Sequence, residues 1–243
     1  MESVALVFKI TFMILGGFQK FTLIDYPGKM AATVFAVGCN FRCPFCHNPE
    51  LVALSTLPAS SAMEKEFFAF LKKRKDKLEG VCLTGGEPTI QPGIFEFIKK
   101  IKKLGFLVKL DSNGMRPDVL KKLINQKLID FIAMDIKNCQ KKYAKTVGGQ
   151  VDLERIKLSV EIIRNSRLPY EFRTTVVPGI HTEEDFVEIA AWLRGSERYF
   201  LQEYREERIL DPLLKKKTKG KKVDLHKIKK RIEKNFNFVG VRG

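Results

Sequence analysis

Short β-rich apolar runs alternate along the chain with stretches whose apolar positions recur at helical spacing. The runs are Ala31–Val37, Gly80–Leu83, Leu107–Leu110, Phe131–Met134, Glu171–Val177 and Tyr199–Gln202. The helical stretches between them are Met63–Lys77, Gly93–Leu104, Pro117–Gln126, Asp152–Arg167 and Thr182–Leu193. In Gly93–Leu104, Ile94, Phe97, Ile98 and Ile101 share one face, with lysines between them. Leu153, Ile156, Val160 and Ile163 do the same in Asp152–Arg167, and Asp152 and Thr182 stand where helix N-caps belong. Strands that alternate with helices predict an α/β fold with a parallel sheet and right-handed crossovers. Six such units fall short of a closed eight-unit barrel, so the expected architecture is an open, partial (β/α)6 barrel.

A strand-like stretch, Phe18–Ile24, precedes these units, and neither an internal repeat nor a low-complexity linker interrupts them. After them, Lys215–Lys222 looks flexible and Leu225–Phe236 fits a short basic helix. The expected division is residues 1–16 as an N-terminal extension, 17–210 as the barrel domain and 211–243 as a basic tail. Met1–Leu15 is apolar but shorter than the roughly 20 residues a spanning helix needs, and it lacks the basic start and cleavage pattern of a signal peptide.

Composition narrows the class. With 243 residues, 44% hydrophobic and 30% charged, the chain has the make-up of a soluble globular domain with an ample core. Its five cysteines are odd in number and clustered, which argues against a secreted disulfide framework and for a reducing cytoplasm. The net charge of +16 is uneven, with eleven Lys and Arg between Lys215 and Lys234 against only Asp224 and Glu233. Such a segment could meet nucleic acid or an acidic protein face. No aromatic residue is interleaved there, which weakens the nucleic-acid version.

The chemistry concentrates in Cys39-Asn40-Phe41-Arg42-Cys43-Pro44-Phe45-Cys46-His47-Asn48, directly after the first run and Gly38. Thiolates are soft ligands suited to zinc and iron–sulfur clusters. A closed zinc site wants four ligands, whereas this loop offers three cysteines, and His47 adjoins Cys46 too closely for both to reach one tetrahedral ion. Three thiolates on a four-iron cluster leave one iron open for chemistry. The cluster is the favoured reading.

In parallel α/β folds ligands bind at the carboxyl ends of the strands, and polar residues follow every run here. They are the cysteine loop, then Thr84-Gly85-Gly86-Glu87-Pro88, Asp111-Ser112-Asn113-Gly114, Asp135-Ile136-Lys137, Pro178-Gly179-Ile180-His181 and Gln202-Glu203-Tyr204-Arg205. Gly85 and Gly86 leave room for a ligand to approach the backbone. Taken alone, Asp111 and Asp135 would be helix caps and Phe45 a core residue. Arg173 lies inside an apolar strand and needs a partner or a site, with Asp25 as the candidate partner. Cys82 reads as a core cysteine and Cys139 as an incidental thiol.

The C-x-x-x-C-x-aromatic-C pattern resembles the radical S-adenosylmethionine enzymes, and its continuation into Cys-His-Asn resembles their glycyl-radical-activating branch. The run from Gly17-Phe18-Gln19-Lys20 through Asp25-Tyr26-Pro27-Gly28-Lys29 to Asn48-Pro49-Glu50 closely resembles anaerobic ribonucleoside-triphosphate reductase activating proteins, and more distantly pyruvate formate-lyase activating enzyme. The resemblance covers about residues 14 to 210, which favours Met13 as the true start and Met1–Phe12 as an upstream extension. It implies the same partial barrel and one 4Fe-4S cluster on Cys39, Cys43 and Cys46. It also implies S-adenosylmethionine held at Phe45, Gly85, Gly86, Glu87, Asp111, Asp135 and Lys137, with a monovalent cation near the two aspartates. Reductive cleavage would give a 5′-deoxyadenosyl radical that takes hydrogen from a glycine of a partner enzyme, with Asp25 and Arg173 facing the incoming loop. The implied partners are a glycyl-radical enzyme, foremost an anaerobic ribonucleotide reductase, and a low-potential electron donor such as flavodoxin or ferredoxin. Neither a membrane nor nucleic acid is expected as a partner. Gln202 to Arg205 depart from the pattern, because pyruvate formate-lyase activating enzyme has a histidine after its last strand. The rivals are a radical enzyme acting on a small molecule such as a modified purine, and a non-catalytic metal module whose basic tail binds RNA.

Overall fold

The computed structural model describes residues 12–53 and 62–243; most of the predicted N-terminal extension lies outside them. One eight-stranded sheet runs in chain order: β1 (Leu15–Thr22), β2 (Ala31–Ala36), β3 (Gly80–Gly85), β4 (Leu107–Ser112), β5 (Phe131–Asp135), β6 (Tyr170–Val176), β7 (Arg198–Glu203) and β8 (Phe238–Arg242). Strands β2 to β8 are parallel and β1 lies antiparallel on β2. The order ends at β1 on one side and β8 on the other, so the curved sheet is a partial barrel.

The six expected strands are β2 to β7, and six helices lie between them. They are α1 (Ala62–Lys72), α2 (Ile94–Lys103), α3 (Pro117–Asn125), α4 (Tyr143–Val147), α5 (Leu153–Asn165) and α6 (Glu183–Trp192). Five of the six fall in the expected stretches, the short α4 being the addition. Ile94, Phe97, Ile98 and Ile101 of α2 are buried, as are Ile156, Val160 and Ile163 of α5. Both expected caps form. The Asp152 carboxylate accepts the Glu154 and Arg155 N–H groups, and Thr182 and Asp185 make a reciprocal capping box.

The C-terminal segment corrects the expectation that Lys215–Lys222 is flexible, while the short basic helix expected within Leu225–Phe236 does form. Residues Pro212–Thr218 form α7 and Leu225–Ile232 form α8, with Leu214, Thr218, Leu225, Ile228 and Ile232 turned inward. Phe236 then stacks on Tyr199 with ring centroids 4.9 Å apart, and β8 extends the sheet along β7. The lysines there decorate amphipathic elements whose apolar residues complete the core.

Candidate active site

A cavity of about 410 Å³ runs from the cysteine loop at the carboxyl ends of the strands down to Asp25 in the β1–β2 turn. Cys39, Cys43, Cys46, Phe45, Gly85, Gly86, Glu87, Asp111, Asp135, Lys137, Arg173 and Asp25 all line it. The twelve residues predicted for the site therefore meet in one place, although they come from six separate stretches of chain.

The cysteine loop is pinned from every side. Gly38 N–H donates to Leu51 O at 2.6 Å and Cys39 N–H to Val52 O at 3.1 Å, which closes the loop on itself. Cys46 N–H donates to Cys43 O at 3.0 Å, so the Cys-Pro-Phe-Cys segment is a tight turn. Arg42 straps the loop by donating to the carbonyls of Cys39 and Phe41 at 2.6 and 2.8 Å. The two glycines serve this arrangement directly. A Cβ at Gly86 would collide with the Gly38 carbonyl, and Gly85 has a φ of +117° and lies against the Ala36 backbone. Their first role is thus close approach of β3 to the base of the cysteine loop, beyond the room for a ligand read from the sequence.

All five cysteines are free thiols. Burial pushes Cys39 up to about 12 and Cys43 up to about 11, and raises Cys46 as well. His47 also lines the cavity and stacks on Tyr204, with centroids 6.1 Å apart and planes at 20°. Among the described residues no group of three or more His, Cys, Asp or Glu side chains is arranged to hold a single metal ion. Three reduced thiols on one loop over a cavity fit a cluster with an open iron better than a mononuclear site needing a fourth ligand.

Glu87 is fully buried and acts as a structural clamp. Its carboxylate accepts from Thr89 N–H at 3.1 Å, Ser112 Oγ at 2.9 Å and Asn113 N–H at 2.6 Å, tying the ends of β3 and β4 together. Complete burial raises its carboxyl despite those donors. Asn113 in turn donates through Nδ2 to Asn40 Oδ1 at 2.8 Å, reaching the cysteine loop. Phe45 packs edge-on to His181, centroids 6.2 Å apart. His181 Nδ1 accepts from Val177 N–H at 3.0 Å, so Nε2 carries the proton and donates to Lys137 O at 2.8 Å. Burial keeps that imidazole below its ordinary value, hence neutral.

Arg173 corrects the predicted pairing with Asp25. Its Nε donates to Asp135 Oδ1 at 2.5 Å and its Nη2 to Asp111 Oδ2 at 2.9 Å, whereas Asp25 accepts from Thr33 Oγ1 at 2.5 Å. The reason is register. Asp135 and Arg173 are cross-strand partners on β5 and β6, which puts the guanidinium within reach of both aspartates. The far oxygen of Asp135 accepts from Lys137 at 2.9 Å, and that of Asp111 accepts from Lys109. The result is a charge ladder, Lys109–Asp111–Arg173–Asp135–Lys137, in which a guanidinium bridges the two aspartates near which the resemblance implies a monovalent cation. Burial would raise both carboxyls, but Arg173 and the lysines hold Asp111 and Asp135 below the ordinary range. The same pairing overcomes burial at Lys137 and keeps it firmly protonated.

Lys109 was not singled out from the sequence, yet it is 1% exposed and lies between Asp111 and Cys82, whose Sγ is 3.7 Å from its Nζ. The signal was available. Lys109 interrupts an apolar strand two residues before Asp111, so both share one face. Ser112, Asn113, Thr175 and Gln202 also line the cavity, with Gln202 standing at the end of β7.

A model of the Radical SAM superfamily matches residues 33–193, which is more than half of the chain. The chain belongs to the radical SAM superfamily. Membership implies a 4Fe-4S cluster and S-adenosylmethionine as cofactors, and the thiols and cavity fit both. A Methanocaldococcus jannaschii protein, MJ1227, provisionally named a glycyl-radical enzyme activating enzyme, is 32% identical over 238 residues, 94% of this chain and 95% of its own. That likeness carries this radical SAM enzyme into the activating-enzyme branch. The pyruvate formate-lyase-activating enzyme of Streptococcus mutans is 26% identical over 188 residues, 72% of this chain and 70% of its own. Among solved structures, Streptococcus suis SuiB bound to S-adenosylmethionine shares the fold with a TM-score of 0.63 at 17% identity, over 85% of this chain. The radical SAM chain spans 48% of that protein's length. Among the described residues no helix is long and apolar enough to cross a membrane.

Proposed function

We propose that this radical SAM enzyme activates an anaerobic ribonucleotide reductase by generating a glycyl radical on it. The observation that carries the reading is the surface around Asp25. Phe21, Leu23, Ile24 and Met30 are 49, 63, 85 and 43% exposed, half of the exposed large apolar side chains among the described residues, and they flank the β1–β2 turn, whose Asp25 lines the cavity. An apolar knuckle at a polar cavity fits a protein substrate that inserts a loop, and fits a small molecule poorly. The likeness to activating enzymes and the Gly17–Glu50 run support the same reading.

When bound, the cluster and S-adenosylmethionine supply a carbon radical through one-electron cleavage of the sulfonium bond. The chain's own residues bind and orient. Cys39, Cys43 and Cys46 would hold the cluster. Lys137, charged and lining the cavity, would meet the methionyl carboxylate, and the Gly85–Gly86 edge its amino group. Glu87 fixes that edge through Ser112 and Asn113, and Phe45 offers a ring for the adenine. Arg173 holds Asp111 and Asp135 apart in register, while Asp25 and the knuckle meet the incoming loop. Arg173, Lys109 and Lys137 together already offset the charge of the two aspartates, so a separate monovalent cation has less to do.

The test is a double substitution of exposed residues, Leu23→Ser with Ile24→Ser. Glycyl-radical formation on the reductase, read by electron paramagnetic resonance, should need at least tenfold more reductase, with S-adenosylmethionine cleavage in its absence unchanged. Unchanged dependence on reductase refutes the role of the knuckle. Activation of a pyruvate formate-lyase in preference to the reductase refutes the assigned target.

A further inference from the structure

Outside the cavity, the strongest charge concentration without partners is on α7 and the turn after it. Lys215, Lys216, Lys217, Lys219, Lys221 and Lys222 are all exposed. Among the described residues none of the six has a carboxylate within ion-pair distance, whereas Lys227 and Arg231 of α8 pair with Glu183 and Glu184 at 2.6 to 3.1 Å. Leu213, 60% exposed, precedes them on α7, with Lys216 and Lys217 three and four residues on along the same helix face. An apolar spot rimmed by one sign of charge has the anatomy of a protein-docking surface.

Its location gives it a purpose. The segment leading into α7 lies along the cysteine loop: Asp211 N–H donates to Pro44 O at 2.9 Å, and Pro44 stands between Cys43 and Cys46. Arg208 pairs with Glu50 at 3.4 Å, and Tyr204 stacks on His47. Lys215 follows Asp211 by four residues, about 6 Å of helical rise. The unpaired positive surface thus begins one helical turn from the loop that would carry the cluster.

We propose that residues 211–222 dock an acidic, low-potential electron-carrier protein and bring its redox group against the cysteine loop. One electron passes from the reduced carrier, which is oxidised by one, to the cluster, which is reduced by one; no atom or proton need be exchanged. The inference rests on the cluster at Cys39, Cys43 and Cys46 and is independent of which glycyl-radical enzyme is activated. Complementary charge raises association rates by about 10- to 1000-fold, and salt suppresses the gain once the Debye length falls below about 10 Å.

The test combines Lys215→Gln, Lys216→Gln, Lys217→Gln, Lys219→Gln, Lys221→Gln and Lys222→Gln in the cluster-loaded protein. All six are surface positions, so folding is spared, and Lys121→Gln with Lys122→Gln on α3 serves as the charge control. Two readouts are taken from low to high salt with flavodoxin as the probe: its binding by calorimetry, and the rate at which its reduced form reduces the cluster. Wild type should bind flavodoxin with strong salt dependence. The sixfold variant should bind and be reduced at least tenfold more weakly at low salt and lose the dependence. Reduction by dithionite should be unchanged, and so should the α3 control. Equal flavodoxin binding and reduction in wild type and variant overturns the proposal, as does a variant that loses only RNA binding. A wild-type cluster that dithionite cannot reduce overturns the cluster reading and the docking surface with it.

Discussion

Arg173 offers a perturbation whose size can be worked from the structure. Its side chain is 14% exposed and bridges Asp111 and Asp135, which are 12 and 26% exposed. Replacing it with methionine keeps most of the volume and removes two charge-assisted hydrogen bonds. Breaking a buried ion pair costs about 3–5 kcal/mol because a charge is left uncompensated. Here each aspartate keeps a second partner, Lys109 or Lys137, so two neutral pairs remain. The cost should therefore lie at the lower end, about 3 kcal/mol at pH 7. With a slope of about 3 kcal/mol per molar urea, the midpoint should fall by about 1 M. The pH dependence has a definite sign. Both carboxyls are depressed in the folded state, so their contribution is complete above the unfolded value of about 3.9 and is lost as pH falls through the folded values. The gap between wild type and Arg173→Met should accordingly shrink as pH drops below about 4. Urea titrations followed by circular dichroism at pH 7 and in the acid limb measure both quantities. A loss under 1 kcal/mol at pH 7, or a gap independent of pH, would show that the ladder is not a coupled network.

Three further outcomes follow from named contacts. Anaerobically reconstituted protein should hold about four irons and four sulfides; Ala at Cys39, Cys43 or Cys46 should abolish this by iron assay and absorbance, whereas Cys82→Ala and Cys139→Ala should not. Lys137→Ala should weaken S-adenosylmethionine binding by about 10- to 100-fold in calorimetry, as loss of one charged hydrogen bond implies, while changing iron content little. Gly86→Ala should lower thermal stability by about 1–3 kcal/mol and reduce cluster retention, because the new methyl group would meet backbone of Gly38 and Leu51, not a side chain that can swing aside.

The sequence pattern made the scaffold legible where strands are apolar and helices amphipathic, and β2 to β7 start and stop within two residues of the predicted runs. It was less informative where charge masks periodicity. Strand β8 is only five residues with a central glycine, and α7 is seven residues with lysine at three of its five exposed positions, so neither stands out from the basic segment. Spacing also placed the site residues at the ends of strands but not their partners. Arg173 meets Asp135 because β5 and β6 set that register, a fact of pairing that one strand read alone does not contain. Lys109 was passed over for a related reason: a lysine in a strand reads as surface until the curved sheet turns that face into the barrel.

The central claim is hydrogen abstraction from a glycine of an anaerobic ribonucleotide reductase. The most direct measurement uses reductase labelled with α-deuterated glycine, incubated anaerobically with the reduced, cluster-loaded protein and S-adenosylmethionine. The account predicts a glycine-centred radical on the reductase by electron paramagnetic resonance and deuterium in the 5′-deoxyadenosine released with it. Formation of 5′-deoxyadenosine that carries no deuterium, with no radical on the reductase, would contradict it.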